Sequence, residues 1–241
     1  MTGTLHIVGV GPGDPELLTL RAVRLLAAAP VVAFFCKRDR PGHAYGIAGP
    51  HLHPAAERLR FDYPVTTELP HTDPRYIDAM RACYDDAAEA LASHLAAGRD
   101  AALLCEGDPF FYGSAMYLFD RLAARFSVEI TPGITGMSGC WAQARLPMTH
   151  GDDILTVLPG TLGLVALTAR LAAGDAAVIM KVGRNLAKIR AALAEAGRET
   201  GAIYVERGTM PDSRILPLIE LTQEVAPYFS MVLVPGRQRT R

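Results

Sequence analysis

Apolar and polar positions along this chain form blocks that predict strands followed by helices. The β-branched run TLHIVGV at 4–10 stops at a cluster of glycine and proline, and 16–29 then places apolar residues at helical spacing. A second buried strand is predicted at 30–35, whereas the polar, Gly/Pro-rich segment 36–54 is predicted to be irregular. The opening pattern is therefore strand, tight loop, helix and strand.

The same pattern continues to about residue 145. A long helix is predicted from near Thr72 to Gly98, with one apolar face. That face carries Ile77, Met80, Tyr84, Ala88 and Leu91. Strands are predicted at 101–105 and 127–131, and each leads through a loop into a shorter helix, at 116–124 and from about 136 to 145.

The pattern of apolar and polar positions changes near 146–152, where Pro147, His150 and Gly151 interrupt its periodicity. Beyond it, four β-rich runs (DILTVLPG, AAVIM, AIYVE and FSMVLV) are separated by helical stretches at 161–173 and 184–196. We therefore predict two packed α/β domains, 1–147 and 148–241, each with a parallel or mixed sheet.

Composition narrows the class of protein. The 241 residues are 50% hydrophobic, and 24 Lys+Arg against 25 Asp+Glu give a net charge of -1, which offers no basic field for nucleic acid. No run of 18 apolar residues indicates a membrane span, and the N-terminus lacks the pattern of a signal peptide. We expect a cytoplasmic protein with neither nucleic-acid nor membrane partners.

The metal-ligating residue types show no metal-binding pattern. The four cysteines are far apart with mostly apolar flanks, and no H-E-x-x-H motif occurs. Buried free thiols and no bound metal are predicted.

Three glycine-rich loops follow predicted strands, beginning at Gly9, Glu106 and Pro132. In an open α/β sheet, ligands bind at loops that leave the carboxyl ends of strands, and glycine lets a ligand approach the main chain. The first loop has half of the dinucleotide fingerprint G-x-G-x-x-G, but Asp14 stands at the third glycine and no ribose-binding acid follows. These two departures argue against the alternative functions that the first loop suggests, a nicotinamide-dependent oxidoreductase and a nucleotide-binding module.

Five segments carry motifs in a characteristic order: G-V-G-P-G-D-P-E-L-L-T at 9–19, C-E-G-D-P-F-F-Y-G-S at 105–114, P-G-I-T-G-M-S at 132–138, I-M-K-V-G-R at 179–184 and Y-V-E-R-G-T-M at 204–210. As a set they resemble the tetrapyrrole methyltransferases of cobalamin biosynthesis, over about residues 4 to 235. With A-P-Y-F-S-M at 226–231, they look like the branch that methylates precorrin-2 at ring carbon 20 to give precorrin-3A.

The resemblance implies a two-domain α/β tetrapyrrole methylase fold with the cofactor and substrate cleft between the domains. It also implies a homodimer that uses S-adenosylmethionine (SAM) and releases S-adenosylhomocysteine. Carried over motif by motif, the SAM contacts are Pro12, Glu106, Gly107, Asp108, Phe111, Thr135, Gly136, Met180 and Gly208, and main chain near 229–232 is expected to border the adenine. Glu106 departs from the glycine of many relatives, and the branch that the motifs resemble shares this departure.

Precorrin-2 is rich in carboxylates, so its site needs cations. The best local source is the segment 37–43, with Lys37, Arg38, Arg40 and His43, and further cations stand in the later motifs at Lys181, Arg184 and Arg207. Replacement of hydrogen at carbon 20 requires a proton to leave, and the candidates for a base are Asp14, Tyr112 and Glu206. The sequence leaves open a cobalt-loaded substrate or another tetrapyrrole target.

Overall fold

The computed structural model describes residues 1–65, 69–70 and 72–236. The chain divides into two compact units, Met1–Gly136 and Met137–Arg241. This division falls before the 147/148 boundary expected from the sequence, because Cys140 and Trp141 pack into a core cluster of the second unit with Val178 and Leu233.

The first unit contains a five-stranded parallel sheet in the order β3-β2-β4-β1-β5. Its strands are β1 (Thr4–Gly9), β2 (Val31–Lys37), β3 (Glu57–Tyr63), β4 (Ala101–Cys105) and β5 (Ser127–Thr131). Its helices are α1 (Leu20–Ala28), α2 (His43–Ala48), α3 (Pro74–Ala96) and α4 (Ala115–Leu122).

Helices cover both faces of this sheet, which explains why β2 is apolar at nearly every position. Phe35 points into the cluster formed with α3 and α4, whereas Phe34 points into the cluster formed with α1 and α2. The long helix α3 confirms the predicted one and buries Met80 and Leu91, but Ile77 is 43% exposed and does not belong to its core face.

Three parts of the first unit differ from the sequence predictions. The segment expected to be irregular contains α2 at 43–48, followed by a 3-10 turn at 49–51, and β3 had no predicted counterpart. The first helix begins at Leu20 rather than 16, because a 3-10 turn occupies Pro15–Leu17 and the Thr19 hydroxyl then caps α1 by accepting from the Ala22 N–H at 3.2 Å.

The second unit contains a mixed five-stranded sheet in the order β6-β7-β10-β8-β9, with β6 and β7 parallel and the other neighbours antiparallel. Its strands are β6 (Leu155–Pro159), β7 (Ala176–Met180), β8 (Ile203–Glu206), β9 (Arg214–Pro217) and β10 (Ser230–Val234), and its helices are α5 (Gly136–Gln143, starting at the last residue of the first unit), α6 (Leu164–Ala173) and α7 (Leu186–Glu195). The predicted strands and helices of this half are confirmed, and β9 is additional.

The thiol prediction is largely confirmed. Cys36, Cys105 and Cys140 are buried and free, while Cys83 is half-buried. Among the described residues, no group of three His, Cys, Asp or Glu side chains could hold a metal ion. None of the helices in the described ranges is long and apolar enough to cross a membrane.

Candidate functional site

The three glycine-rich loops of the first unit meet at one edge of its sheet. They leave β1, β4 and β5, which are neighbours in the parallel order β4-β1-β5, so their carboxyl ends lie side by side. The loops after β1 and β4 are joined directly, because the Gly107 N–H donates to the Gly11 carbonyl at 2.8 Å and the Gly11 N–H donates back at 3.4 Å. Ligand-binding loops predicted separately from the sequence thus form one surface.

Close backbone packing explains why glycine stands at these positions. A Cβ atom on Gly9 would lie 2.6 Å from the Gly133 nitrogen, and a Cβ on Gly133 would lie 2.1 Å from the Gly107 carbonyl oxygen. Gly107 itself has φ of +66°, a left-handed conformation that favours glycine. The main chain of all three loops is therefore brought together without intervening side chains.

Asp108 ties the second loop to the third. One carboxylate oxygen accepts from the Phe110 N–H at 3.0 Å, and the other accepts from the Gly133 N–H at 3.2 Å. Both bonds are to main chain, so Asp108 stabilises the shape of the surface. Its predicted contact with SAM stays a prediction.

Glu106 lies between the buried end of β4 and Gly107. Its side chain is exposed to solvent, and its Oε1 accepts the Ala44 N–H at 3.2 Å from the start of α2. Desolvation by the surrounding protein raises the pKa of this carboxyl above its usual range, and the hydrogen bond from Ala44 lowers the pKa by a smaller amount. Sequence reasoning gave Glu106 a place in the loop but missed this long-range partner.

The other predicted contacts of the first unit also lie on these loops. Pro12 and Thr135 are half-buried, and the nitrogen of Gly136 is 3.5 Å from where a Cβ on Gly107 would stand. The rings of Phe111 and Tyr112 meet edge to face at 5.0 Å. The structure therefore brings Pro12, Glu106, Gly107, Asp108, Phe111, Thr135 and Gly136 to adjacent loops.

The three candidate bases have different surroundings. Asp14 accepts the Glu16 N–H at 2.9 Å and so caps the 3-10 turn of the first loop. Tyr112 has φ of +57° and is 47% exposed. Glu206, in the second unit, accepts the Tyr204 hydroxyl at 3.0 Å.

In the second unit, Met180 ends β7 and Gly208 lies in the loop after β8. A Cβ on Gly208 would be 2.6 Å from the Cys140 sulfur, so only glycine fits. Its neighbours Arg207 and Thr209 have φ of +49° and +69°, which is costly for a β-branched residue such as Thr209. The Gln143 side-chain oxygen accepts the Thr209 N–H and helps to hold this loop.

The predicted cations are mostly on exposed positions. Lys37, Arg38 and Arg40 are exposed in a turn closed by the bond from the Arg40 N–H to the Lys37 carbonyl at 3.1 Å, and His43 begins α2. Arg207 forms an ion pair with Asp212 in its own loop. In the second unit, Lys181 and Arg184 are exposed, Lys181 with φ of +55°.

Comparison with known proteins gives the family. The sequence model of the tetrapyrrole (corrin/porphyrin) methylases matches residues 4–222. The chain therefore belongs to the tetrapyrrole methylases.

Individual relatives are similar over nearly the whole chain. A precorrin-2 C(20)-methyltransferase of Sinorhizobium sp is 55% identical, over 97% of this chain and 96% of the relative. A cobalt-precorrin-2 C(20)-methyltransferase of Salmonella typhimurium is 27% identical, over 97% of each. The crystal structure of uroporphyrin-III C-methyltransferase from Thermus thermophilus, complexed with S-adenosylhomocysteine, is 26% identical and covers 96% of this chain and 97% of its own, with a TM-score of 0.66. The expected two-domain α/β fold of this family is confirmed.

Proposed function

We propose that this chain transfers a methyl group from SAM to ring carbon 20 of precorrin-2, giving precorrin-3A and S-adenosylhomocysteine. The observation that carries the proposal is the 55% identity to a precorrin-2 C(20)-methyltransferase along nearly the full length of both chains. The joined glycine loops of the first unit support it, because they present main chain at the edge where α/β sheets bind ligands.

The chemistry of these loops fits SAM better than a nucleotide phosphate. SAM carries a positive sulfonium and an uncharged adenosine, so it needs main-chain donors and acceptors and tolerates nearby carboxylates. Glu106 and Asp108 place such carboxylates beside Gly107, where a pyrophosphate would be repelled. This chemistry supports the proposed SAM contacts in the first unit. The proposed contacts at Met180 and Gly208 rest on the family motif alone.

Carboxylates of the tetrapyrrole are proposed to bind the exposed cations of segment 37–43. Arg38 and Arg40 can each hold a carboxylate in a bidentate pair, and Lys37 adds a point charge. Lys181 and Arg184 are further candidates in the second unit.

Methyl transfer itself requires little covalent chemistry of the protein. SAM supplies an already activated methyl group when bound. The chain's own residues then hold the two reactants in line and exclude water, which is where most of the rate enhancement is expected to originate.

The direct test is mass spectrometry of the tetrapyrrole after anaerobic incubation with methyl-labelled SAM and either metal-free or cobalt-loaded precorrin-2. We expect one labelled methyl on the metal-free ring. Label confined to the cobalt form would move the chain to the reaction of the Salmonella relative, and no label with SAM still bound would overturn the proposed substrate.

We also propose that the enzyme acts as a homodimer in the cytoplasm, as the family resemblance implies. Light scattering of the purified protein tests the first point, since a monomer at working concentration would contradict it.

A further inference from the structure

We propose that the carboxylate of Glu106 accepts the proton that leaves ring carbon 20 as the methyl group arrives. This inference rests on the proposed function. In this proposal the cofactor contact expected of Glu106 is made by its main chain, and its side chain has a separate catalytic role.

Its position along the chain puts Glu106 among the joined glycine loops. Glu106 directly follows β4 and directly precedes Gly107, whose main chain is paired with Gly11 and packed against Gly133. Glu106 therefore belongs to the joined loops proposed to hold SAM, and its side chain leaves the main chain directly beside Gly107.

The hydrogen-bond partner of the Glu106 carboxylate connects these loops to the cationic segment. Its Oε1 accepts the N–H of Ala44 at 3.2 Å, and Ala44 follows the cationic segment 37–43 proposed to hold the substrate carboxylates. Glu106 thus joins the loops assigned to the methyl donor to the segment assigned to the acceptor. A group that receives a proton from the reacting carbon has to lie at such a junction.

The surroundings of the carboxylate leave it able to accept a proton. Glu106 is exposed to solvent, and among the described residues its carboxylate has this one hydrogen bond, through Oε1. Desolvation by the surrounding protein raises the pKa of the carboxyl. The titratable groups beside it in the sequence are the Cys105 thiol, which is kept protonated by burial, and Asp108, and His43 adjoins its partner Ala44.

Asp108, the other carboxylate of the same loop, holds the backbone with both of its oxygens, which accept the N–H groups of Phe110 and Gly133. Protonation of either oxygen would weaken the loops that it joins. Glu106 can take up a proton on Oε2 while Oε1 keeps its bond to Ala44.

Methyl transfer and proton loss at carbon 20 need no reactant besides SAM, the tetrapyrrole and Glu106. The ring carbon uses a π electron pair to form the bond to the methyl carbon, and the methyl–sulfur bond breaks with its electron pair left on sulfur. The carbon–hydrogen bond at carbon 20 then breaks, its electron pair restores the π system, and the proton moves to Glu106, which releases it to water.

The test compares wild-type enzyme with Glu106→Gln, Glu106→Asp and the matched surface variant Glu220→Gln. Glu220 is exposed in a 3-10 turn of the second unit. Circular dichroism and melting temperature report folding, calorimetry gives the Kd for SAM, and the labelled-methyl assay gives kcat, KM for the tetrapyrrole and their pH dependence.

We expect Glu106→Gln to fold, to bind SAM within about twofold of wild type and to lose about 10²-fold in kcat, the typical contribution of general base catalysis. Wild-type kcat should rise with pH as Glu106 loses its proton, and this acidic limb should be absent from Glu106→Gln. Glu106→Asp should recover part of kcat and should again show the rise of kcat with pH. Glu220→Gln should match wild type in both.

Three results would overturn the inference. These are an unchanged kcat in Glu106→Gln, a raised KM for the tetrapyrrole with unchanged kcat, and a loss that follows the Kd for SAM. The second would make Glu106 a positioning residue and the third a cofactor ligand. A wild-type enzyme that methylates neither form of precorrin-2 would instead overturn the proposed function, and this inference with it.

Discussion

Gly9 and Gly133 are held where any side chain would collide with a neighbouring backbone, whereas Gly107 is required for its left-handed φ. The distinction matters because the two constraints respond differently to substitution. At Gly107 the nearest atoms to an added Cβ lie at 3.5 Å or more, on residues 134–136, so a larger side chain can be placed there at the cost of backbone strain. It would then cover the main chain proposed to bind SAM.

Gly107 and Gly197 have nearly the same backbone conformation, but only Gly107 lies in the proposed SAM site. Gly107→Val and Gly197→Val both force valine into a left-handed conformation, with φ of +66° and +64°, and a Cβ on Gly197 meets nothing within 4 Å. Each should lose about 1–2 kcal/mol of stability, measured by urea unfolding. Calorimetric titration should show SAM affinity reduced by at least about tenfold, or 1.4 kcal/mol, for Gly107→Val and unchanged for Gly197→Val. Equal affinity in the two variants would contradict the site assignment.

At the level of elements, one arginine of the second unit connects a helix and two strands. Arg198 follows α7, and its guanidinium donates to the carbonyls of Gly174 at 2.8 Å, Asp175 at 2.6 Å and Pro235 at 3.0 Å. It also reaches the Leu171 carbonyl in α6 at 3.4 Å. The end of α6, the start of β7 and the end of β10 are thereby held together.

Replacing Arg198 by methionine keeps the aliphatic part of the side chain but removes all of these donors. Because several part-buried carbonyls would lose a charged donor together, we expect a loss of about 2–4 kcal/mol in urea unfolding. Arg170→Met is the control, since Arg170 is exposed on α6, and it should change stability by no more than about 0.5 kcal/mol. Similar stability of the two variants would show that the bonds of Arg198 do not support the unit.

At the level of the whole molecule, buried thiols make stability sensitive to alkaline pH. Burial raises the pKa of Cys36 to about 11 and the pKa values of Cys105 and Cys140 to about 12, from an ordinary value of 9.0. Between the unfolded and folded values, the unfolded chain has lost these protons and the folded chain retains them. The contribution of these protonated thiols to stability is therefore fully present below about pH 9, and it is lost as the pH rises further.

We expect the melting temperature to decline progressively from about pH 9 to pH 11. The Cys105→Ala, Cys140→Ala double variant should show a shallower decline over that range, although its melting temperature at pH 7 should be lower because two buried side chains are truncated. The slope with pH is the quantity to compare. Identical slopes would mean that other groups, such as Tyr84 with its raised pKa, dominate the effect.

Several elements were missed by sequence reasoning for definable physical reasons. The helix α2 lies among glycines and prolines, yet Ala44 and Ile47 are buried against the sheet, so tertiary packing overrides the local composition. The strand β3 lies at the sheet edge with alternating exposure and several charged residues, and it forms because β2 pairs with it.

By itself, the sequence determined the alternation of strands and helices, the three glycine loops and the tetrapyrrole methylase family, because these are written in local periodicity and in motifs of fixed spacing. Only the tertiary structure decided which loops touch and which side chains they bring together. The Gly11–Gly107 pairing, the bond from Ala44 to Glu106 and the Gln143 contact with Thr209 each join residues more than 60 positions apart. Such contacts depend on strand order and on the closeness of backbones, and a linear pattern does not record either.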